Sequence, residues 1–446
     1  MGHAPLDTRI ANNRTAGAPL SNAVTFAELL SVFGRIGLLS FGGPAAQIAL
    51  MHRVLVEERK WLDERTFLSA LSFCMLLPGP EAMQLATYSG WRLHGLRGGL
   101  AAGLLFVAPG AALVLALSML YGAYGHTPSV ATLFTGVKAA VLAIVLQALV
   151  RLGRRALKDR LDWLVAVAAF VAIFALDLPF PLLIAAAAIA GYIGRAAPVT
   201  VEAPPAPVPL AQTARTAAVW LAVWIAPLAA VAIAFGPDHV LTQLAWFFSK
   251  LAVLTFGGAY AVLSYMAQAA VTDYHWLTPG EMLDGLGLAE TTNGPLILVT
   301  EFVGYTAALR SAGGASVAMG VLGALVTLWA TFAPCFLWIF AGAPYVERLT
   351  AAPRLASALR TVTAAVVGVI ANLSAWFALH VLFGKVDTKL VGPVRLLVPD
   401  LATVDWVSLV LSALAVVLLF VFRLGIVTTL AFCAAAALLW LGLAPA

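Results

Sequence analysis

Apolar runs recur from Thr25 to the C-terminus, each about 20 residues long, the length a helix needs to cross the hydrocarbon core of a bilayer. Nothing else constrains the fold as strongly, because a chain built from such runs has to bury them in lipid or in one another. Only 11% of the residues are charged against 62% hydrophobic, whereas a soluble domain carries about 25% charged residues. A soluble globular fold is excluded. Strand-like alternation is absent, which argues against a β-barrel. The chain therefore reads as an all-α polytopic membrane protein with no room for a separate soluble domain. Residues 1–24 form a polar tail that lacks an apolar core and a small-residue cleavage site, so no removable signal peptide is expected.

The chain also repeats itself. Shifted by 215 positions, Leu29–Gly99 aligns with Leu244–Gly314 without a gap. Phe33 meets Phe248, Ser40–Gly43 meets Thr255–Gly258, Trp61 meets Trp276, and Gly79–Pro80 meets Gly294–Pro295. A shift of 225 then matches Val137–Val141 with Val362–Val366. Two homologous helical repeats thus occupy residues 25–194 and 237–446. Between them lie a proline-rich linker at 195–213 and one extra transmembrane helix at 214–236. Six crossings per repeat give thirteen spans, and the single extra crossing inverts the second repeat. Five crossings per repeat would leave the two parallel. Inverted repeats with broken helices near mid-membrane are a transporter architecture.

Spans near 25–51, 66–91, 98–121, 130–150, 161–177 and 179–194 put the N-terminus, Arg92, Arg97, Arg195 and the cluster Arg151, Arg154, Arg155, Lys158 and Arg160 on one face. The loop His52–Arg65 falls on the other. Lys/Arg excess in short loops marks the cytoplasmic side, so a cytoplasmic N-terminus in a cell inner membrane is expected. The net charge of +5 is concentrated in these loops. That makes the lipid bilayer the partner and excludes nucleic acid. Monomer and homodimer both stay open.

Glycine and proline interrupt the apolar segments at matching points. Ser40, Gly42 and Gly43 correspond to Thr255, Gly257 and Gly258; Gly79 and Pro80 correspond to Gly294 and Pro295, with Asn293 beside them. A backbone broken at membrane depth survives only inside protein or against a watery cavity. Proline suits a first helical turn, so Pro80 and Pro295 are expected to open half-helices whose positive N-terminal ends favour an anion. The plainer alternative is that these residues only kink or pack ordinary spans. Arg35 and Lys250, at equivalent positions, add basic charge and fit an anionic substrate, unless both snorkel to an interface. Lys138 poses the same choice. Glu81, at the start of a presumed half-helix, and Glu290 are candidates for proton coupling, because an anion beside a carboxylate raises its proton affinity. Glu301, Gln84, Tyr88, Thr291 and Thr292 are further polar groups near the breaks.

The histidines show no shared metal-ligand spacing, and no metal or cofactor is expected. Cys74, Cys335 and Cys433 read as packing residues, and Trp61 and Trp276 as interfacial anchors. No phosphate-cradling Gly-x-x-x-x-Gly-Lys pattern occurs, so transport has to draw on a gradient or a partner.

Ser40-Phe-Gly-Gly-Pro44, Trp61, Leu77-Pro-Gly-Pro-Glu81 and Gln84-Leu-Ala-Thr-Tyr88 together resemble the chromate ion transporter family. The resemblance extends through Phe256–Gly258 and Asn293–Pro295 over most of the chain. It implies efflux of chromate across the bacterial inner membrane, giving chromate resistance, with sulfate as the close analogue, and an inverted pair of halves. The second repeat departs from the pattern: no proline follows its double glycine, and Asn293 replaces Pro78. Rival readings are a sulfate or other oxyanion importer, a passive anion channel, and, remotely, a membrane-embedded enzyme. Helix ends and one or two cations discriminate poorly between two tetrahedral dianions.

Overall fold

A computed structural model describes residues 24–125, 127–194, 210–256, 259–314, 316–346, 353–392 and 394–443. Most of the polar tail and of the linker, and the candidate residues Gly257 and Gly258, lie outside the described residues. The first repeat runs α1 (Phe26–Leu39), α2 (Gly43–His52), α3 (Glu64–Leu76), α4 (Glu81–Tyr124), α5 (Pro128–Ala156), α6 (Arg160–Phe174) and α7 (Phe180–Gly194). After α8 (Leu210–Phe235) the second runs α9 (Val240–Leu254), α10 (Ala259–Gln268), α11 (Pro279–Thr291), α12 (Val299–Ser311), α13 (Val317–Gly342), α14 (Pro353–Leu382), α15 (Trp406–Val416) and α16 (Ile426–Leu443). An antiparallel pair, β1 (Val386–Val391) and β2 (Val394–Pro399), joins α14 to α15. The duplication reaches into detail: α2 and α10 each run on into a π-helical turn, Arg53–Glu58 and Ala269–Asp273.

The first two apolar segments do not cross. Between α1 and α2 lies a small cavity of about 120 Å³ lined by Ser31, Arg35 and Leu39 on one side and by Arg59, Arg53 and Leu50 on the other, so α2 folds back along α1. Next, α3 descends to the same depth, and residues 81–93 return. The helical path of α4 then breaks at His94 and Gly95; Gly95, with φ 60° and ψ −148°, holds a conformation essentially confined to glycine. Residues 96–124 pack antiparallel on 81–93, so closely that a Cβ at Gly98 would strike the carbonyl of Gly90. Each repeat thus opens with two re-entrant helical hairpins, where the sequence predicts two spans.

Both tips sit at mid-depth. The α1 helix runs parallel to the long arm of α4, with Phe26 beside His94 and Gly37 beside Leu105, so the break after Leu39 lies level with Pro109 and Gly110, halfway along that arm. Among the described residues, five helices are long and apolar enough to cross a membrane: α4, α5, α8, α13 and α14. The shorter pairs α6–α7 and α15–α16 complete the repeats. The α6–α7 turn reaches the opposite face, where Arg395 of β2 pairs with Asp177 at 2.8 Å.

A re-entrant hairpin adds no crossing, so each repeat still crosses an even number of times and α8 still inverts the second. Helix direction shows the inversion. The long arm of α4 and its equivalent α13 pack antiparallel, Gly99 against Phe340 and Gly103 against Phe336. The loop His52–Arg65 consequently joins the N-terminal face, contrary to the crossing count; its residues cap α3 there, with Asp63 accepting from the Thr66 N–H at 2.8 Å. Trp61 and Trp276 are buried rather than interfacial. Trp276 stacks on Tyr274 at 4.3 Å, wedged under the hairpin return.

Two measurements check this architecture. Single cysteines at Lys60 and Lys158 should react with an impermeant maleimide from one face and a cysteine at Lys389 from the other; Lys60 reacting with Lys389's face would restore two spanning segments. Gly98→Val should lower the detergent melting temperature by overpacking worth about 1–3 kcal/mol, while Gly194→Val, with nothing near its Cβ, should change it little; equal melts would contradict the hairpin crossing.

Candidate functional site

Breaking a helix at mid-depth frees backbone groups that lipid cannot satisfy. Here the two repeats satisfy each other. The Gly294 N–H donates to the Ser40 carbonyl at 2.8 Å, and the Gly79 N–H donates to the Thr255 carbonyl at 2.9 Å. These bonds are equivalents under the repeat: the first hairpin tip of each copy bonds the second hairpin tip of the other. Gly79 and Gly294 have φ of 117° and 99°, a left-handed backbone that favours glycine. Each long helix supports the opposite copy's tip. A Cβ at Gly110 would strike the Asn293 carbonyl, and one at Gly79 would lie 3.0 Å from the Cys335 sulfur.

Side chains finish the tips, and they differ between copies. Gln47 donates to the Gly294 carbonyl at 2.6 Å and to the Ser40 carbonyl at 3.3 Å, while Asn293 donates to the Gly37 carbonyl at 3.2 Å. At the other tip pair Gln84 donates to the Pro78 carbonyl at 2.7 Å. The hydroxyls of Ser40 and Thr255 are taken up by their own helices, donating to Ile36 and Leu251 at 2.6 and 2.7 Å. Thr291 and Thr292 do the same to Leu288 and Ala289.

What remains for an anion is the start of the returning half-helices. Four helices that begin at a membrane face are capped by side chains, α1 by Thr25, α3 by Asp63, α9 by His239 and α11 by Thr278, whereas α5 begins at Thr127 without one. By contrast, α2 begins at Gly42 and α4 at Pro80 with no side-chain cap, and the turn leading into α12 begins likewise at Pro295. Uncapped first-turn N–H groups carry the positive end of the helix dipole. Gly42, Ala45 and Ala46 at the start of α2 are exposed at mid-depth.

The acids sit close by. Glu81 is the first residue of α4, half-buried, and lies within electrostatic reach of Arg155. Glu290, at the end of α11, accepts from the Tyr260 hydroxyl at 2.7 Å and lies within reach of Arg151. Arg151 itself bends toward the membrane centre, donating to Gln147 at 3.2 Å. Glu301 is 1% exposed and its Oε2 has no hydrogen-bond partner. Tyr88 packs between Phe73 and Trp91.

The two cations chosen from sequence do not converge. Arg35 faces outward beside Arg53 and Arg59, and Lys250 lies 5.5 Å over the Tyr265 ring. Lys138 does not snorkel: its ammonium lies 3.4 Å from Asp284. Sequence reasoning missed Gln47, Tyr260, Asp284 and the electrostatic reach of Arg151 and Arg155 to the acids. Asp284 carried the same signal as Glu290, an acid inside an apolar run; the others carried none.

Comparison with known proteins follows the same division. A family model described as chromate transporter matches residues 27–192 and 242–440, one stretch per repeat. A chromate transport protein of Pseudomonas aeruginosa is 36% identical over 355 residues, covering 78% of this chain and 80% of its own. Another from Cupriavidus metallidurans is 30% identical over 365 residues, covering 80% and 84%. A Bacillus subtilis protein, the uncharacterized transporter YwrB, is 29% identical over 150 residues, 33% of this chain but 75% of its own, so its length is close to that of one repeat. No solved structure matches. A multi-pass bundle whose two repeats each match one family, and whose full-length relatives share most of its length, belongs to the chromate transporter family.

Proposed function

We propose that this chain carries chromate outward across a cell inner membrane, so that it confers chromate resistance. The observation that carries the reading is the exchange of tip hydrogen bonds between inverted repeats, which leaves uncapped helix starts at mid-depth with acids beside them. An oxyanion bound there is stabilised by N–H groups and dipole rather than by a fixed counter-ion. Glu81 and Glu290 then link it to a proton, since a dianion beside a buried carboxylate favours the protonated acid. Inverted repeats supply the alternation, because exchanging the conformations of the two copies exchanges the open face.

The face holding Arg92, Arg97 and the Arg151–Arg160 cluster is assigned to the cytoplasm, together with the N-terminus, by its basic loops. Arg35 and Lys250, on the outer sides of their hairpins, act in this reading on the anion's approach. Sulfate shares the shape and charge of chromate and is the competing substrate.

Everted vesicles provide the test. Chromate accumulation should saturate, fall with added sulfate and collapse with the proton gradient; flux linear in concentration and indifferent to the gradient would point to a channel. Glu81→Gln should flatten the response of flux to pH, removing a coupling on the scale of about 5- to 150-fold, and an unaltered response would remove this acid from the mechanism. Lys158→Ala, in the loop, should leave both unchanged.

A further inference from the structure

On the face opposite the N-terminus, three residues from both repeats meet in a place no tip residue occupies. Lys138 of α5 lies 3.4 Å from Asp284 of α11, and the Tyr121 hydroxyl, near the end of α4, donates to the other carboxylate oxygen at 2.7 Å. The Asp284 side chain is 7% exposed and the Lys138 side chain 29%, so water reaches the cation but hardly the acid. Asp284 Oδ1 has no hydrogen bond, leaving the ammonium as its compensation. Gly280 makes room for that ammonium, since a Cβ there would lie 3.2 Å from it.

The repeated fold does not require this pair. By the same shifts that align the repeats, Ser69 stands at the place of Asp284 and Thr363 at the place of Lys138, two residue types that form no ion pair. A buried charge pair contributes little net stability, yet removing one partner leaves a charge stranded. The other titratable groups in electrostatic contact are Glu281, one turn back on α11, and Arg310 of α12. Arg310 is committed to Glu281 at 2.5 Å and to the Trp276 carbonyl at 2.6 Å. Within this cluster Lys138, held by one carboxylate at 3.4 Å, is the cation open to an incoming anion.

We propose that Lys138 is an oxyanion-binding residue whose counter-ion between turnovers is Asp284, and that a tetrahedral dianion displaces the carboxylate, which takes a proton from the aqueous face while keeping its bond to Tyr121. The reason is electrostatic. Once the anion neutralises Lys138, the Asp284 carboxylate has lost its partner in a nearly dry site, and protonation is the lower-energy outcome. Anion and proton are then bound together on this face. This rests on the chain carrying an oxyanion.

The experiment is chromate flux in proteoliposomes of the full-length protein at about pH 6 and about pH 8, each variant taken as a ratio to wild type at the same pH, so that the anion's own titration cancels; the expected coupling is about 5- to 150-fold. Asp284→Asn should bind at least as well as wild type and lose its share of the pH dependence. Lys138→Gln should raise the half-saturating concentration at both pH values. Lys138→Gln/Asp284→Asn, a neutral pair, should recover the melting temperature lost by Lys138→Gln while binding remains weak. Recovery of wild-type half-saturation in the double variant would make the pair a structural bridge and overturn the proposal, as would an unchanged pH response in Asp284→Asn. Absence of any oxyanion flux by wild type would instead overturn the transport reading itself.

Discussion

The constraint on which this structure depends is the hydrogen-bonding demand of the peptide group in hydrocarbon. Among the described residues, eight half-helices end or begin near the middle of the bundle, and every such end carries N–H or C=O groups that lipid cannot satisfy. The two repeats meet that demand jointly, Gly294 with Ser40 and Gly79 with Thr255. Own-copy side chains, Gln47 on Ser40 and Gln84 on Pro78, add to these bonds. The exchange between copies explains why the halves interdigitate instead of lying side by side, and why the long arm of α4 and α13 cross at the centre with the small residues Gly110 and Cys335 against the opposite tips. Fusion of the copies through α8 also follows, since one odd crossing gives the second copy the orientation in which its tips face those of the first.

On this symmetric scaffold the chemistry is asymmetric. Gln47 has Val262 as its counterpart, Gln84 has Val299, Asn293 has Pro78, and Glu290 has Met75. The backbone bonds recur in both copies, while these four polar side chains do not. Duplication accounts for the frame, whose bonds are made by peptide groups and so tolerate sequence change. Polar side chains at membrane depth are expensive and need keep only one of two equivalent places. A transporter whose faces see different solutions has reason to differ this way, with Arg151 and Arg155 within electrostatic reach of acids on one side and Lys138 paired to Asp284 on the other.

Much of this was legible in the chain. The apolar runs determine a membrane bundle, the offset self-alignment determines two copies, and the glycine–proline clusters at 40–43, 79–80 and 294–295 mark the tips, because local composition alone sets hydropathy, repetition and backbone freedom. Pro80 and Glu81 open α4 as their residue types require. The direction of the chain after each break was not legible. A half-helix of 14 residues such as α1 has the same composition whether its continuation goes on through the bilayer or turns back.

That choice belongs to tertiary structure, because the partners that satisfy the freed peptide groups lie in the other repeat. The same contacts decide which charges meet: Arg35 and Lys250, equivalent in sequence, point away from the tips, whereas Lys138 finds Asp284 and Tyr121. Sequence by itself determined that the chain is a duplicated membrane bundle with four weak points in its backbone. Only the folded arrangement decided that those points are re-entrant tips bonded across the copies, since hydrophobicity acts on each segment separately and hydrogen-bond satisfaction acts on pairs.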